Sequence, residues 1–467
     1  MPNGRATRYN GTIGIVEFGT AHIAGFPSQD NTMRHASVVL KIVLLFSLFI
    51  LLLASPAVAF AQAPDSRGTI VIPRSSVERP QDAGKRAHTN IVLFDLGLPA
   101  NPSFTPPHTS SAGSVNPQAG PTSGKFFETP ASLACVYGLT AYVAGCSPAV
   151  VTENPAGGSR ALAIVDSYDD PNAAADLAAF DLQFGIPAAN FQVVYATGAK
   201  PPVDPTGGWE LEESLDIEWA HAMAPNAALF LVEAASNKKA DLLTAVSVAS
   251  ALVAQAGGGE VSMSWGTAES PKEAASESYF ATPGVVYFAS SGDSPGALWP
   301  SVSPSVVSSG GTTVSRNPTT GAFQLEVAWA STGSGPSAYF PIPSYQSSVA
   351  AIVGKNRGTP DLAFDADPHT GVWIYDSYPL RGVSSATWHI VGGTSIAAPS
   401  LAGIVNAAGN FHASSAAELA AIYSSFARGS GFADIQSGTC YHYAGYLAAP
   451  GWDYCSGVGS VNGYEDK

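Results

Sequence analysis

The sequence predicts an α/β protein built on a doubly wound, mainly parallel sheet with helices on both faces. Two observations carry that expectation. From about residue 130, short apolar runs rich in β-branched residues alternate with Ala-rich amphipathic stretches. The runs are apolar throughout instead of alternating, the pattern of strands covered on both sides. No repeat with a period of about 20–50 residues divides the chain.

Taken in order, the strand candidates are residues 161–167 (ALAIVDS), 191–197 (FQVVYAT), 227–234 (AALFLVEA), 259–265 (GEVSMSW) and 284–291 (GVVYFASS). Helix candidates lie between them at 174–185, 209–224 and 239–255. Residues 62–128 are rich in Pro, Ser and Gly and read as a linker or irregular arm, with one strand candidate, IVLFDLGL at 91–98.

Composition excludes some functions. The 467 residues carry 21 Lys and Arg against 36 Asp and Glu, a net charge of −15, and only 12% are charged. Such a chain is a poor neutraliser of phosphates, which argues against a nucleic-acid partner. Hydrophobic residues at 46% exclude wholesale disorder. Forty-seven glycines and 35 prolines call for many turns.

Residues 42–54 (IVLLFSLFILLLA) form an apolar run shorter than the roughly 20 residues of a membrane span. Arg34, His35 and Lys41 precede it, and Ala59 and Ala61 follow in an A-x-A arrangement. This is the pattern of a signal peptide over 33–61, cut after Ala61, leaving a secreted protein without a stable membrane anchor, extracellular or periplasmic. An uncleaved anchor is the alternative. Met33 makes a conventional start, so residues 1–32 are expected to be an over-called extension.

Export agrees with four cysteines, which allow three pairings. The local one, Cys135–Cys146 and Cys440–Cys455, is expected because the two pairs lie at opposite ends of the domain. No C-x-x-C or H-E-x-x-H occurs, so zinc and thiol-redox chemistry have no support.

Three motifs can carry chemistry. In GGTSIAAP (392–399), two glycines turn the chain and Ser395 opens a helix, whose free N–H groups suit a developing negative charge. An ordinary helix cap is the competing reading. A serine nucleophile needs a base. None of the nine histidines sits in an H-G-T context; His389 reads as a strand residue, and His221 lies in the second motif. That motif, WELEESLDIEWAHAMAP, puts Glu212 and Asp216 one turn apart on one helix face, beside Leu211, Leu215 and Ala222. Its bland alternative is a solvated acidic face shared with Glu213 and Glu218. The third, ASSGDSPG (289–296), presents Asp293 at a carboxyl strand end. Ser294 there fits G-x-S-x-G, but the following ALWPSVSPS opposes the helix that this pattern requires.

Together with VDSYDDPN (165–172), SMSWG (262–266), RGTPDLAFDADPHTG (357–371) and GWDYCSGVGSVNG (451–463), these motifs make residues from about 130 to 463 resemble the sedolisins, the serine-carboxyl peptidases of subtilisin-like fold. The resemblance implies Ser395 as nucleophile, Glu212 as its general base and Asp216 as the group orienting Glu212. It implies that protonated Asp293 donates to the oxyanion, and that Ser264, Trp265 and Gly266 bind the substrate backbone as an added strand. Asp166 stays outside the triad, and Asp361 and Asp365 hold loop geometry. The resemblance also implies one Ca²⁺, held by the side chains of Asp434 and Asp453 and the carbonyls of Ile435, Ala449 and Gly451, with Ala449 standing where the family usually has Gly. The family's large folded prodomain is missing: only residues 62–128 separate the signal peptide from a peptidase domain over 129–467. The expectation is thus a monomeric endopeptidase acting on proteins or peptides at acidic pH. The alternatives are a catalytically silent peptide-binding domain and an esterase using Ser294.

Overall fold

The computed structural model describes residues 68–96, 125–383, 387–440, 445–465 and 467. The expected extension over 1–32 and signal peptide over 33–61 lie outside the described residues.

An N-terminal segment carries β1 (Thr69–Val71), β2 (His88–Thr89) and β3 (Val92–Asp95). After helix α1 (Pro130–Val136) come β4 (Ala161–Ser167), α2 (Ala173–Phe184), β5 (Asn190–Tyr195), α3 (Gly208–Met223), β6 (Ala228–Ala234) and α4 (Lys239–Gln255). Next are β7 (Gly259–Met263), β8 (Trp265–Ala268), β9 (Val285–Ser290), β10 (Leu298–Trp299), β11 (Val307–Arg316) and β12 (Phe323–Ala328). The chain continues through β13 (Gly335–Pro341), β14 (Asn356–Thr359), β15 (Leu362–Asp365), β16 (Val372–Tyr375), β17 (Trp388–Gly392), α5 (Ala397–Ala408) and α6 (Ser415–Arg428). Four short strands end it: β18 (Phe432–Ala433), β19 (Thr439–Cys440), β20 (Tyr446–Leu447) and β21 (Ser460–Val461).

The main sheet runs β18-β21-β15-β11-β9-β7-β4-β6-β5, with β12 on β11. It is parallel from β5 to β21, and only β12 and β18 pair antiparallel. β4 shows why the strands read as unbroken apolar runs. Leu162 and Ile164 pack with Leu211 and Leu215 of α3 and Leu401 and Ile404 of α5. Ala161, Ala163 and Val165 pack with Leu242, Val246 and Val253 of α4 on the other face. Strand residues of both parities are therefore buried, as the doubly wound reading requires.

Helix α3 is buried along its whole length. It packs on α5, α2 and β4. Its crossing with α5 needs Gly403, where an added Cβ would come within 2.8 Å of both Ala220 O and Met223 Cβ. The alternative of a solvated acidic face is thereby overturned: the acidic helix lies between two other helices and the sheet.

Two expectations needed correction. The run 259–265 is two strands, β7 in the sheet and β8 leaving it to pair with β2 and β10. The supposed linker is, over residues 68–96, part of the domain. β3 pairs with β17 and β1 with β3, and Ile91, Leu93 and Phe94 join the main core. Its strands are short and their outside partners lie far away in sequence, so no local pattern announces them. Disulfides join Cys135 to Cys146 and Cys440 to Cys455, with Cα separations of 5.5 and 5.3 Å. Among the described residues no helix is long and apolar enough to cross a membrane.

Candidate active site

The site forms where β17 turns into α5 and where β4, β7 and β9 end. Gly393 makes the turn at φ +105°, and a Cβ there would lie 2.1 Å from Asn90 O and 2.5 Å from Asp293 Oδ2. Only glycine leaves room for both oxygens. Ser395 follows two residues later and is fully buried. Its Oγ donates to Ser264 O at 3.2 Å and accepts the Asn90 N–H at 3.1 Å. Its backbone N–H donates to Asn90 O at 3.0 Å. Ser264 Oγ donates to Ser395 O at 3.1 Å, and Trp265 Nε1 donates to Val165 O at 2.9 Å, which fixes the Ser-Trp-Gly segment against the sheet.

Glu212 and Asp216 reach the same place from α3. Both are fully buried, and among the described residues none of their four carboxyl oxygens has a hydrogen-bond partner. Burial raises Glu212 well above the usual carboxyl range, the charges of Asp216 and Asp166 raise it further, and the nearby Ser395 hydroxyl opposes them. Ser395 thus stands beside Glu212 but gives its proton to Ser264 O. Burial, then Asp166, raises Asp216, opposed by the Ser264 hydroxyl. Asp166, at the end of β4, is pushed up to about 8 by burial. Three acidic groups stripped of water cannot all ionise, so this cluster retains protons.

Asp293 comes from the loop after β9. Its Oδ1 accepts the Thr394 N–H at 2.7 Å and the Thr394 hydroxyl at 2.9 Å. Burial pushes its carboxyl up to about 7 in spite of those two bonds. Among the described residues Oδ2 has no partner, and it closes over Gly393 beside the Asn90 carbonyl. A proton on Oδ2 would be placed to stabilise charge on that carbonyl oxygen.

The cleft holds the chain's own N-terminal segment. β2 pairs antiparallel with β8, His88 opposite Gly266 and Thr89 opposite Trp265. β3 continues on the other side of Ser395, with Val92 opposite Gly392 and Leu93 opposite Val391. A cavity of about 400 Å³ lies along this segment, lined by Arg74, His88, Tyr168, Asp204 and Trp209. Ser395, Glu212, Asp216 and Asp293 do not line it, because the segment fills the space above them.

Ser294 is exposed on a turn that leads to β10, with no helix after it, so the esterase pattern lacks its context. His389 is in β17, as read, and His221 Nε2 lies 2.8 Å from Pro187 O. Asp361 pairs with Arg357 and accepts the Ser308 N–H and the Tyr423 hydroxyl, while Asp365 accepts the Val314 N–H. At the C-terminal loop, Asp434 Oδ2 accepts Gly451 N–H at 3.0 Å and Asp453 Oδ2 accepts Ala449 N–H at 2.8 Å. The two carboxylates thus converge on one short turn. Sequence reasoning missed Asn90, which directly precedes the strand candidate at 91–98, and gave no role to Ser290, which lies within the strand candidate at 284–291.

A buried serine at the head of α5, ringed by carboxyl groups at the carboxyl ends of a parallel sheet, defines a subtilisin-like fold with a serine–carboxyl site. No family model matches the chain. It is 30% identical over 357 residues to kumamolisin of Bacillus sp. (strain MN-32), across 66% of this chain and 59% of that one. It is 34% identical over 177 residues to sedolisin of Pseudomonas sp. (strain 101), across 35% of this chain and 28% of that one. The structure of Pseudomonas sedolisin, a serine-carboxyl proteinase complexed with two molecules of pseudo-iodotyrostatin, superposes with a TM-score of 0.58. The superposition covers 72% of this chain and 96% of that one at 24% sequence identity. Over these spans the chain is similar to members of the sedolisin family. Its match spans well under two thirds of either curated relative's length.

Proposed function

We propose that this chain is a secreted serine endopeptidase that cuts proteins or peptides at acidic pH through Ser395, Glu212 and Asp216. One observation carries the reading: an extended peptide segment lies along Trp265 and Gly266 with the Asn90 carbonyl held by the Ser395 N–H. That is how an added strand presents a carbonyl to a nucleophile.

In the reaction, Ser395 Oγ attacks the carbonyl carbon while Glu212 takes its proton and Asp216 steadies Glu212. The Ser395 N–H and protonated Asp293 hold the oxyanion. Glu212 then returns the proton to the leaving amine. Glu212 must be ionised and Asp293 neutral, so the working range ends near the value of about 7 to which burial pushes Asp293. Water entering the opened cleft lowers Glu212 towards its ordinary value by relieving burial.

The C-terminal loop is proposed to bind one Ca²⁺. Its five donors, from Asp434, Ile435, Ala449, Gly451 and Asp453, are all oxygens, the chemistry Ca²⁺ prefers. Among the described residues, no hydrogen bond ends on the carbonyls of Ile435, Ala449 or Gly451, which leaves them free to ligate. Among the described residues no group of three or more His, Cys, Asp or Glu side chains gathers to hold a metal ion, so the carbonyls are needed. Bound there, the ion would brace the turn that the Cys440–Cys455 disulfide also spans.

The test is hydrolysis of an unfolded protein by wild type, Ser395→Ala and Ser294→Ala. Loss with Ser395→Ala alone supports the reading. Loss with Ser294→Ala alone supports an esterase-like site, and an inactive wild type supports a silent binding domain.

A further inference from the structure

We propose that Thr394 is a positioning residue: its hydroxyl holds Asp293 so that the carboxyl proton sits on Oδ2, the oxygen that faces the oxyanion. This rests on the peptidase reading above.

Gly292 N–H donates to Thr394 Oγ1 at 3.0 Å. An amide N–H can only donate, so the Thr394 oxygen accepts there and its own proton must point elsewhere. It points to Asp293 Oδ1 at 2.9 Å. The Thr394 N–H ends on the same oxygen at 2.7 Å. Oδ1 therefore meets two donors, and neither can be reversed. A proton on Oδ1 would face both of them. The protonated carboxyl thus keeps Oδ1 as its carbonyl oxygen and carries its proton on Oδ2. That is the oxygen without a partner among the described residues, set over Gly393 beside Asn90 O.

The backbone fixes this chain of bonds. The Gly292 carbonyl accepts the Gly333 N–H at 2.7 Å, and the Ser291 N–H donates to Ser309 O of β11 at 2.9 Å, so the donating peptide is held on both sides. Thr394 is fully buried, so water does not compete for its hydroxyl. Glu212 of α3 is the charged group that acts on Asp293, and each opposes ionisation of the other. Thr394, Gly393 and Asn90 present only neutral groups to it.

Two consequences follow from losing the hydroxyl. The proton is no longer directed to Oδ2, so turnover slows. A donor that favours the ionised carboxyl is gone, so Asp293 rises further above about 7 and the alkaline limb moves up. A role confined to bracing the loop predicts the reverse limb shift, because water reaching Asp293 would relieve its burial and lower it.

The experiment measures kcat and KM on one peptide from pH 2 to 9 for wild type, Thr394→Val and Thr394→Ser. Thr394→Val is expected to lower kcat at the optimum about tenfold, leave KM within about twofold and move the alkaline limb of kcat upward. Thr394→Ser, which keeps the hydroxyl, is expected to restore both. An unchanged kcat, a limb that stays or moves down, or a Thr394→Ser that behaves like Thr394→Val overturns the proposal. A wild type that hydrolyses nothing fails the peptidase reading itself. If Thr394→Val does not fold, the infrared difference between wild type and Asp293→Asn at pH 5 decides. The carboxylic C=O band of Asp293 is expected at the lowered frequency of a carbonyl with two donors, and a band at the position of a carbonyl without donors overturns the proposal.

Discussion

Asp293 is anchored by Thr394, the residue just before Ser395: one carboxyl oxygen takes both the Thr394 N–H at 2.7 Å and its hydroxyl at 2.9 Å. The other oxygen has no partner among the described residues and lies above Gly393. The two proposed oxyanion donors, the Ser395 N–H and Asp293, therefore ride on one turn, and Asp293 could donate only while it keeps its proton. Asp293→Ala should lower kcat by about 10²–10³-fold, the usual cost of losing one such donor.

Asp293→Asn gives a different outcome. A carboxamide donates without needing a proton. The wild-type kcat/KM profile should be bell-shaped with its alkaline limb near 7, where Asp293 ionises. In Asp293→Asn the remaining activity should extend above that limb. The check is kcat/KM on one peptide from pH 2 to 9; an unmoved alkaline limb removes Asp293 from the mechanism.

Glu212→Gln separates catalysis from stability. The proposed base is lost, and activity should fall on the order of 10⁴-fold or more. Gln keeps the shape and removes a buried carboxyl whose ionisation the fold opposes. Thermal melts at pH 7 should show a stability equal to or above wild type.

Stability should fall as pH rises. Burial pushes Asp166 up to about 8, Asp170 to about 7, Glu210 to about 8, Glu233 to about 9 and Glu418 to about 8. In the unfolded chain these groups titrate near 4. The folded state thus binds more protons between about pH 4 and 9, and its stability is full below that window and is lost progressively through it. Melting temperatures from pH 3.5 to 9 should decline across the window. A rise towards neutral pH would contradict the burial of this acidic set.

Removing the proposed Ca²⁺ should destabilise the C-terminal loop. An ion held only by the folded state adds about 2.7 kcal/mol at a concentration 100 times its Kd. Excess chelator should lower the Tm of calcium-loaded protein, and more so in Cys440→Ser/Cys455→Ser, where the second brace is gone. An unchanged melting curve in both proteins would count against the ligand set.

The sequence by itself determined the sheet and the acidic helix, because both are written in local periodicity. Unbroken apolar runs such as ALAIVDS can be satisfied only with cover on both faces, and β4 has it. The spacing of Glu212 and Asp216 put both carboxyls on one face, and the two glycines before Ser395 marked a tight turn. What the sequence could not decide was burial. Whether Glu212 and Asp216 face water or a dry cleft depends on α5 closing over α3, a contact made possible by Gly403. Nor could it decide the fate of residues 68–96. Their strands pair across long chain separations, His88 with Gly266 and Leu93 with Val391, and such pairing leaves no periodic trace in either partner. Only the tertiary structure brings Asn90 to Ser395, because long-range register is set by the packed sheet and not by any short stretch of sequence.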